Sequence, residues 1–466
     1  MKHINKILFL SCTVLFFSCT KNLDLNPTDS FTQAAAFQNL QDIQYGVNLA
    51  YQDFGAYSKD MYTNALLSDE AKIGTGNAGQ GLFGYRFQYG SDNTSGSDVT
   101  GAWGSYYSVI NQANIVLAAM EGVSVPASLQ PRKNELRGQL LGLRAISHFQ
   151  LLQSFAATYP NNTAALGVPI ITNFNILALP KRNTIGEVMT QIEKDIADAN
   201  ALLPNVTAAT FTDTVINKIN LEAFQARIAL YKGDYANAIK YSTDVINSGA
   251  KPLVTDPDFS NIWTDDGDGE ILFKIRYTNS TAIGGMWSTT SPSYYIAPSD
   301  KLVATYDPAD IRLGAYVGTS ASAGNYVNKF YTSSRGGLTV DMKVCRTAEI
   351  YLIRAEAYAK QANPDVSSGA ADINLLRTQR ILTYSDQSFG SATELSKAVA
   401  DERYKELCFE GFRFFDLKRT GQSVSRGASD ANALWQTLPA NSYRFVLPIP
   451  IDELNANHNC VQNPGY

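Results

Sequence analysis

The stretch DMKVCRTAEIYLIRAEAYAK, residues 341–360, decides how the chain reads as a fold. Val344, Cys345, Ala348, Leu352, Ala355 and Ala359 recur at spacings of one, three and four, which predicts one continuous helix with a single apolar face over Asp341–Lys360. Across the polar turn NPDVSS a second periodic segment, Ser368–Gln379, supplies its partner. Working outward, Glu222–Tyr231 and Tyr235–Asn247 form a second pair around the Gly233-Asp234 break. Each member sets small residues (Ala226, Ala229; Ala236, Ala238) beside larger apolar ones, the mixture that close-packed antiparallel helices need. Weaker pairs lie at about 103–154 and 394–420. Tyr106, Ile110, Ala113 and Leu117 carry the face of Trp103–Ala119, and Leu136, Leu140, Leu143 and Phe149 that of Arg132–Ser154. Further helices are expected near Ala34–Asp53 and over 185–203, the latter closed by Pro204.

These helix–turn–helix pairs follow a degenerate tetratricopeptide pattern, in which each unit buries its face only by stacking on the next. The fold class predicted is mostly α: tetratricopeptide-like helical repeats at about 103–154, 222–247, 341–379 and 394–420, packed against an irregular, loop-rich half with short strands. Two stretches supply that half, about 60–101 and 250–340. Residues 70–101 are rich in Gly, Ser, Asn and Thr, with Tyr85, Phe87 and Tyr89 alternating among them, and read as a loop or short hairpin. Residues 250–340 lose helical periodicity, and such excursions carry binding surfaces more often than core. Near the end, RFVLPIP (444–450) is strand-like.

Composition narrows the function classes. Charged residues make up 17% of the 466, while Tyr reaches 25 and Gly 33, a polar but uncharged surface suited to the cell exterior. The formal net charge is -5, and basic runs do not exceed the pair Arg132-Lys133, so nucleic acid is excluded as a partner. Three histidines, His3, His148 and His458, leave little for a metal or acid–base site.

Residues 1–18, MKHINKILFLSCTVLFFS, read as a lipoprotein signal peptide. Lys2 and Lys6 form its basic start, and the apolar run Ile7–Phe17 is shorter than the roughly 20 residues that span a bilayer. Cys19 then becomes the lipidated first residue, 19–33 a polar tether, and 34–466 a single body. Cys345, Cys408 and Cys460 remain, an odd number with no Cys-x-x-Cys, and Cys345 and Cys408 sit in helical patterns as buried thiols.

Several constellations invite chemistry and read better as structure. Glu402, Glu406 and Glu410 fall on one helix face, whereas a general acid and base normally come from separate elements flanking a cleft. With Arg403, Lys405, Arg413, Asp416 and Arg419 nearby they predict an ion-pair and cap network in which Gly411 lets the chain turn and the next segment tie back. GTGNAGQG (74–81) lacks the Lys-Ser/Thr ending of a phosphate loop. TDDGDGE (264–270) is a solvated acidic turn or, at most, a structural calcium contact; no other cofactor is expected. Ser147-His148 lacks a nucleophile elbow. Catalytic residues are therefore expected to be none. Aromatics in or beside polar, Gly-rich stretches matter more, because sugar rings stack their C–H faces on such side chains. Tyr85, Trp103, Trp263, Trp287, Tyr294 and Tyr295 are the candidate ligand contacts.

The chain resembles the SusD/RagB family of Bacteroidetes outer-membrane lipoproteins. The resemblance rests on LDLNPTDSFT after Cys19, on RTAEIYLIRAEAYAK (346–360), on DERYKELCFEGFRFFDLKR (401–419) and on LPIPIDELNANHNCVQNPGY at the end. Two departures are Cys408 within the Glu-rich motif and Phe16 where the lipidation box usually has Leu. The motifs run from that box to the final tyrosine, as expected of a complete, single unit. The resemblance implies a non-catalytic surface lipoprotein that binds oligosaccharide or polysaccharide. It further implies delivery to a SusC-like TonB-dependent transporter, with a lipid anchor in the outer membrane. It implies architectural roles for Glu406, Glu410, Arg413, Asp416 and Arg419. Three alternatives stay open: a peptide or glycoprotein binder of the same fold, a surface glycoside hydrolase, and a scaffold without small ligand. An aromatic platform facing solvent would favour sugar, a groove rich in backbone-like hydrogen-bond partners peptide, and a flat polar surface the scaffold.

Overall fold

A computed structural model describes residues 36–278, 283–289 and 293–466; the signal segment, Cys19 and the tether lie outside them. Helix α1 (Leu40–Asp53) begins later than its periodicity predicts. Asn39 caps it, accepting from Gln41 and Asp42 N–H while Asp42 bonds back to the Asn39 N–H. Then come α2 (Tyr57–Leu67), α3 (Ser97–Gly122), α4 (Gln130–Phe155), α5 (Ile185–Leu202), α6 (Lys218–Lys232) and α7 (Tyr235–Asn247). The Gly233-Asp234 break does two jobs. Gly233, at φ 75°, ends α6 in the left-handed region, and Asp234 at once caps α7 through Asn237 N–H. The series continues with α8 (Asp258–Thr264), α9 (Ile311–Tyr316), α10 (Thr347–Lys360), α11 (Val366–Thr378), α12 (Ala392–Glu406), α13 (Arg413–Thr420) and α14 (Ile451–Ala456).

Strands are short. β1 (Ala71–Ile73), β2 (Ile271–Ile275), β3 (Ile296–Pro298), β4 (Val317–Ser320), β5 (Gly324–Val327) and β6 (Met342–Arg346) pair antiparallel as β1–β3, β2–β6 and β4–β5. Every sheet among the described residues has two strands. The molecule is thus mostly helical, with a loop-rich region of short ladders.

The helix predicted over 341–360 is half right. Residues 342–346 are strand β6, paired with β2 from Ile271↔Arg346 to Ile275↔Met342, and both strands are buried throughout. The helix starts only at Thr347. Burial on both sides, with Lys343 and Arg346 each reaching a carboxylate, overrides a periodicity that continued smoothly into α10. Cys345 is accordingly a strand residue and Cys408 lies beyond α12, although both are buried thiols. Residues 82–85 form a short helix rather than a hairpin arm. Tyr443–Phe445 is a 3₁₀ turn, and the extended run beyond it joins no ladder; its Leu447 and Ile449 N–H groups bond to Ser154 O and the Gln462 side chain.

Two apolar clusters hold the described residues together. The larger takes in Ile43 on α1, Leu140 on α4, Phe273 on β2 and Phe409. The smaller joins Ala348, Leu352 and Ala355 on α10 to Ile373 and Leu376 on α11 and Leu395 and Val399 on α12. Gly369 on α11 lets these helices meet, since a Cβ there would stand 2.6 Å from Leu395 and 3.1 Å from Ala355 O.

Candidate functional site

The loop-rich half presents a face built on a glycine loop and four tyrosines. After β1 the chain runs along the segment leading into β3. Gly74 N–H donates to Tyr295 O (2.9 Å), Gly76 N–H to Tyr294 O (3.0 Å), and the Asn77 amide to Tyr295 O (3.0 Å). A Cβ on Gly74 would fall on Tyr294 O, and one on Gly76 on the Ser293 hydroxyl. These glycines therefore permit backbone contact with a strand. Tyr294 lies at the centre of the aromatic set. Its ring stacks on Tyr326 of β5 (centroids 4.6 Å, 14° between planes), and Tyr331 closes on both, 5.8 Å from Tyr294 and 4.5 Å from Tyr326. Tyr326 in turn lies over Gly318, its partner across the β4–β5 hairpin, where a Cβ would enter the ring. Tyr294 is buried, whereas Tyr295, Tyr326 and Tyr331 are half-buried at the surface. Burial pushes the Tyr294 hydroxyl up to about 12, so it stays a neutral donor and acceptor.

Tyr294 and Tyr295 are the two candidate contacts that the structure brings together here. The other four have their faces covered by protein. Tyr85 donates to Asp430 O (2.6 Å) and carries the Arg426 guanidinium 4.0 Å over its ring. Trp103 on α3 donates to Glu453 (3.2 Å) and meets Phe155 edge-on at 5.1 Å. Trp263 sits against Phe259 and Tyr316, with Lys329 and Arg346 over its ring. Trp287 is enclosed by Tyr62, Phe330 and Phe409. Polar flanks identify a loop but not which way its aromatics point: Tyr85, Trp263 and Trp287 fold inward as core of the loop-rich half, and Trp103 packs inward from helix α3. Tyr326 and Tyr331, which complete this aromatic set, are not among the six candidates read from the sequence. The signal that could have found them is the alternation of Tyr326 and Val327 with glycines at 318 and 324, which marks a hairpin.

Behind this face lies a buried ionic core. Arg346 donates to Glu410 (2.7 and 2.8 Å), Glu406 (2.9 Å) and Glu270 (2.7 Å). Arg312 bonds Asp310, Glu402 and Glu406, Arg380 bonds Glu270 and Glu406, and Lys329 bonds Glu410. Burial opposes the charge on Glu406, but Arg380, Arg346 and Arg312 outweigh it and hold the carboxyl well below its ordinary range. Glu402 is held at about 2 in the same way, chiefly by Arg312. Glu410 is not on the helix face with the other two. α12 ends at Glu406, and a turn with left-handed Phe409 (φ 66°) and Gly411 (φ 90°) swings Glu410 back to the same cations. Arg413 ties back to Asp69 (2.7 Å) rather than to Glu410 or Asp416. Asp416 takes Arg403 and Arg419, and Arg419 also takes Glu356.

The acidic turn at 264–270 is neither solvated throughout nor arranged around a cation. Asp265 accepts from Lys343 and Arg335 (2.6 Å each), Asp268 from Lys274 (2.6 Å), and Glu270 is buried in the ionic core. The chain's own ammonium and guanidinium groups pair with these carboxylates, and among the described residues no three His, Cys, Asp or Glu side chains cluster as metal ligands. His148 is a core residue. Its ring nitrogens sit 3.0 Å from Arg144 O and 3.3 Å from Ile171 N, and burial pushes it down to about 4. Glu402, Glu406 and Glu410, buried, ion-paired and held below the ordinary carboxylate range by their cations, have neither the access nor the proton affinity for acid–base work.

Comparison with known proteins agrees. Residues 306–466 match the SusD family, and residues 21–230 match a family described as starch-binding and associating with the outer membrane. A SusD-like protein of Formosa agariphila is 24% identical, with 99% of each chain covered. A SusD superfamily protein of Bacteroides thetaiotaomicron superposes with a TM-score of 0.81 at 25% identity, covering 91% of this chain and 100% of that one. A putative sugar binding protein of Bacteroides vulgatus does so at 0.80 and 27%, covering 92% and 99%. Two matched segments spanning most of the chain, the four motif stretches and the shared architecture lead to one conclusion: the chain belongs to the SusD/RagB family of outer-membrane binding proteins, which hold their ligands without chemistry.

Proposed function

We propose that the chain captures a neutral oligosaccharide or polysaccharide at the cell surface and hands it to a SusC-like TonB-dependent transporter. One observation carries this reading: Tyr295, Tyr326 and Tyr331 stand half-exposed around the stacked Tyr294, on the loop-rich face that the glycine loop braces. Aromatic rings offer a sugar its stacking surface, while nearby hydroxyls and amides select the linkage. The helix pairs serve as a tetratricopeptide-like scaffold, and Cys19, once lipidated, keeps the body near the transporter, raising the local concentration of captured ligand. Individual contacts are modest, because the sugar's polar groups must be desolvated.

The test is calorimetric titration of the soluble protein from residue 20 onward against a panel of neutral and acidic polysaccharides and peptides, with product analysis of each mixture. Saturable binding to a glycan without new products is expected. Tyr326→Ala and Tyr295→Ala should each weaken it by about tenfold, a stacking contribution on the order of 1 kcal/mol. Binding to peptides alone, or fragments accumulating with time, would overturn the reading.

A further inference from the structure

Where α4 meets α12 and the turn that follows it, a small cavity collects two polar atoms that the protein leaves unmet. Gln150 of α4 and Arg403 of α12 line it, with Tyr57 of α2, Phe412 and Phe415 among the other walls. Gln150 and Arg403 are each more than nine-tenths buried. The Gln150 amide nitrogen donates to Asp60 (3.1 Å), which turns its carbonyl oxygen, Oε1, away from that carboxyl. The Arg403 guanidinium meets Asp416 side-on through Nε (2.9 Å) and Nη2 (3.1 Å), which leaves Nη1 on its far edge. Among the described residues neither Gln150 Oε1 nor Arg403 Nη1 has a hydrogen-bond partner, and both are shut off from bulk solvent. An unmet acceptor and an unmet donor thus border one space, and buried polar atoms in folded proteins are rarely left in that state.

Size and charge identify what fits. The cavity measures about 20 Å³. A water needs roughly 10–15 Å³ and two to four polar partners, so there is room for one molecule and not for a cluster. Arg227, Arg403 and Arg419 all line the space, but Glu349 takes Arg227, while Asp416 and Glu356 take the other two. Three cations against three carboxylates leave no net charge to draw in an ion. An apolar guest would leave both polar atoms unmet. We propose that the cavity is the binding site of a single water molecule, which accepts from Arg403 Nη1–H and donates to Gln150 Oε1. The water completes a chain of bonds across the fold. On one side Gln150 holds Asp60, which also accepts from Tyr106 of α3 and Ser154 of α4. On the other Arg403 holds Asp416, and Arg419 joins Asp416 to Glu356 of α10. A bridging water holds two groups nearly as well as a direct bond, so it ties the segment 401–419 to the helices α2, α3 and α4.

The test is a crystal structure of the unaltered protein at a resolution that shows ordered waters, from crystals grown with bromide in place of chloride. One water peak within about 3.2 Å of both Arg403 Nη1 and Gln150 Oε1 is expected, with no anomalous bromine signal on it. In solution, oxygen-17 magnetic relaxation dispersion counts the long-lived buried waters. Gln150→Leu keeps the bulk of the side chain and removes the acceptor, so it should lower that count by one. A peak that carries bromine would make the site an anion site and overturn the proposal. So would a direct contact between Gln150 and Arg403, a cavity without a water on both atoms, or an unchanged count in the variant. If Gln150→Leu does not fold, the crystal of the unaltered chain decides alone.

Discussion

Arg346 is the residue on which most of the buried charge converges. Its guanidinium serves Glu270, Glu406 and Glu410 at once. Removing one member of a buried ionic set leaves charge uncompensated, so Arg346→Met should destabilise the protein by about 3–5 kcal/mol. Urea unfolding measures this, and a loss below about 1 kcal/mol would mean the carboxylates find other partners. Two carboxyls behave oppositely. Asp60, bonded only to neutral groups of Tyr106, Gln150 and Ser154, is pushed up to about 7 by burial. Burial lifts Glu70, whose carboxyl oxygens have no partner in normal hydrogen-bond geometry, to about 8 against a weaker opposing pull from the Phe409 backbone. In the unfolded chain both ionise near pH 4. The folded state therefore binds more protons between about pH 4 and 8, and stability from these groups falls as pH rises through that window. The ion-paired carboxyls act in the other window: the contribution of Glu402 is lost as pH drops from its ordinary value toward 2. Glu70→Gln should flatten the decline between pH 5 and 8 in unfolding midpoints, and an unchanged slope would contradict the assignment. The motif glutamates were legible in sequence as ion-pair formers. Their partners were not, because Arg312, Lys329, Arg346 and Arg380 arrive from distant segments and only tertiary packing shows that they meet.

Helices with caps and two-sided periodicity were legible at the scale of the element. Tyr235–Asn247 has its bounds as read, and α5 and α6 lie within a few residues of theirs. Strand β6 was not legible, since a five-residue strand running directly into a helix leaves no break in the apolar pattern. The face around Tyr294 was half legible. Its tyrosines could be nominated from polar flanks, but whether a loop aromatic points in or out depends on the hairpin and ladder beneath it. The glycine loop offers a test at this scale. Gly74→Ala forces a methyl group into Tyr294 O and should shift the segment entering β3. We expect ligand affinity to fall by about tenfold or more while the melting temperature changes little, because the loop lies outside both apolar clusters. Unchanged affinity would place the ligand elsewhere.

At the scale of the whole molecule, the ionic core links the two kinds of structure. Cations from the loop-rich stretch, Arg312 and Lys329, and from β6 meet carboxylates at the end of α12 and in the turn after it. The helices thereby fix the ladders that carry the tyrosine face, and the motif 401–419 supplies the carboxylates of that joint. The motif was readable because its own residues build this joint, whereas the tyrosine face rests on short ladders and loops that leave little periodic signal. The most direct measurement of the central claim is a crystal structure of the protein with the glycan identified by titration. A sugar ring lying on Tyr326, Tyr295 or Tyr331, with Tyr294 behind it, is the expected result. A glycan bound away from those tyrosines, with their faces left in solvent, would contradict the account.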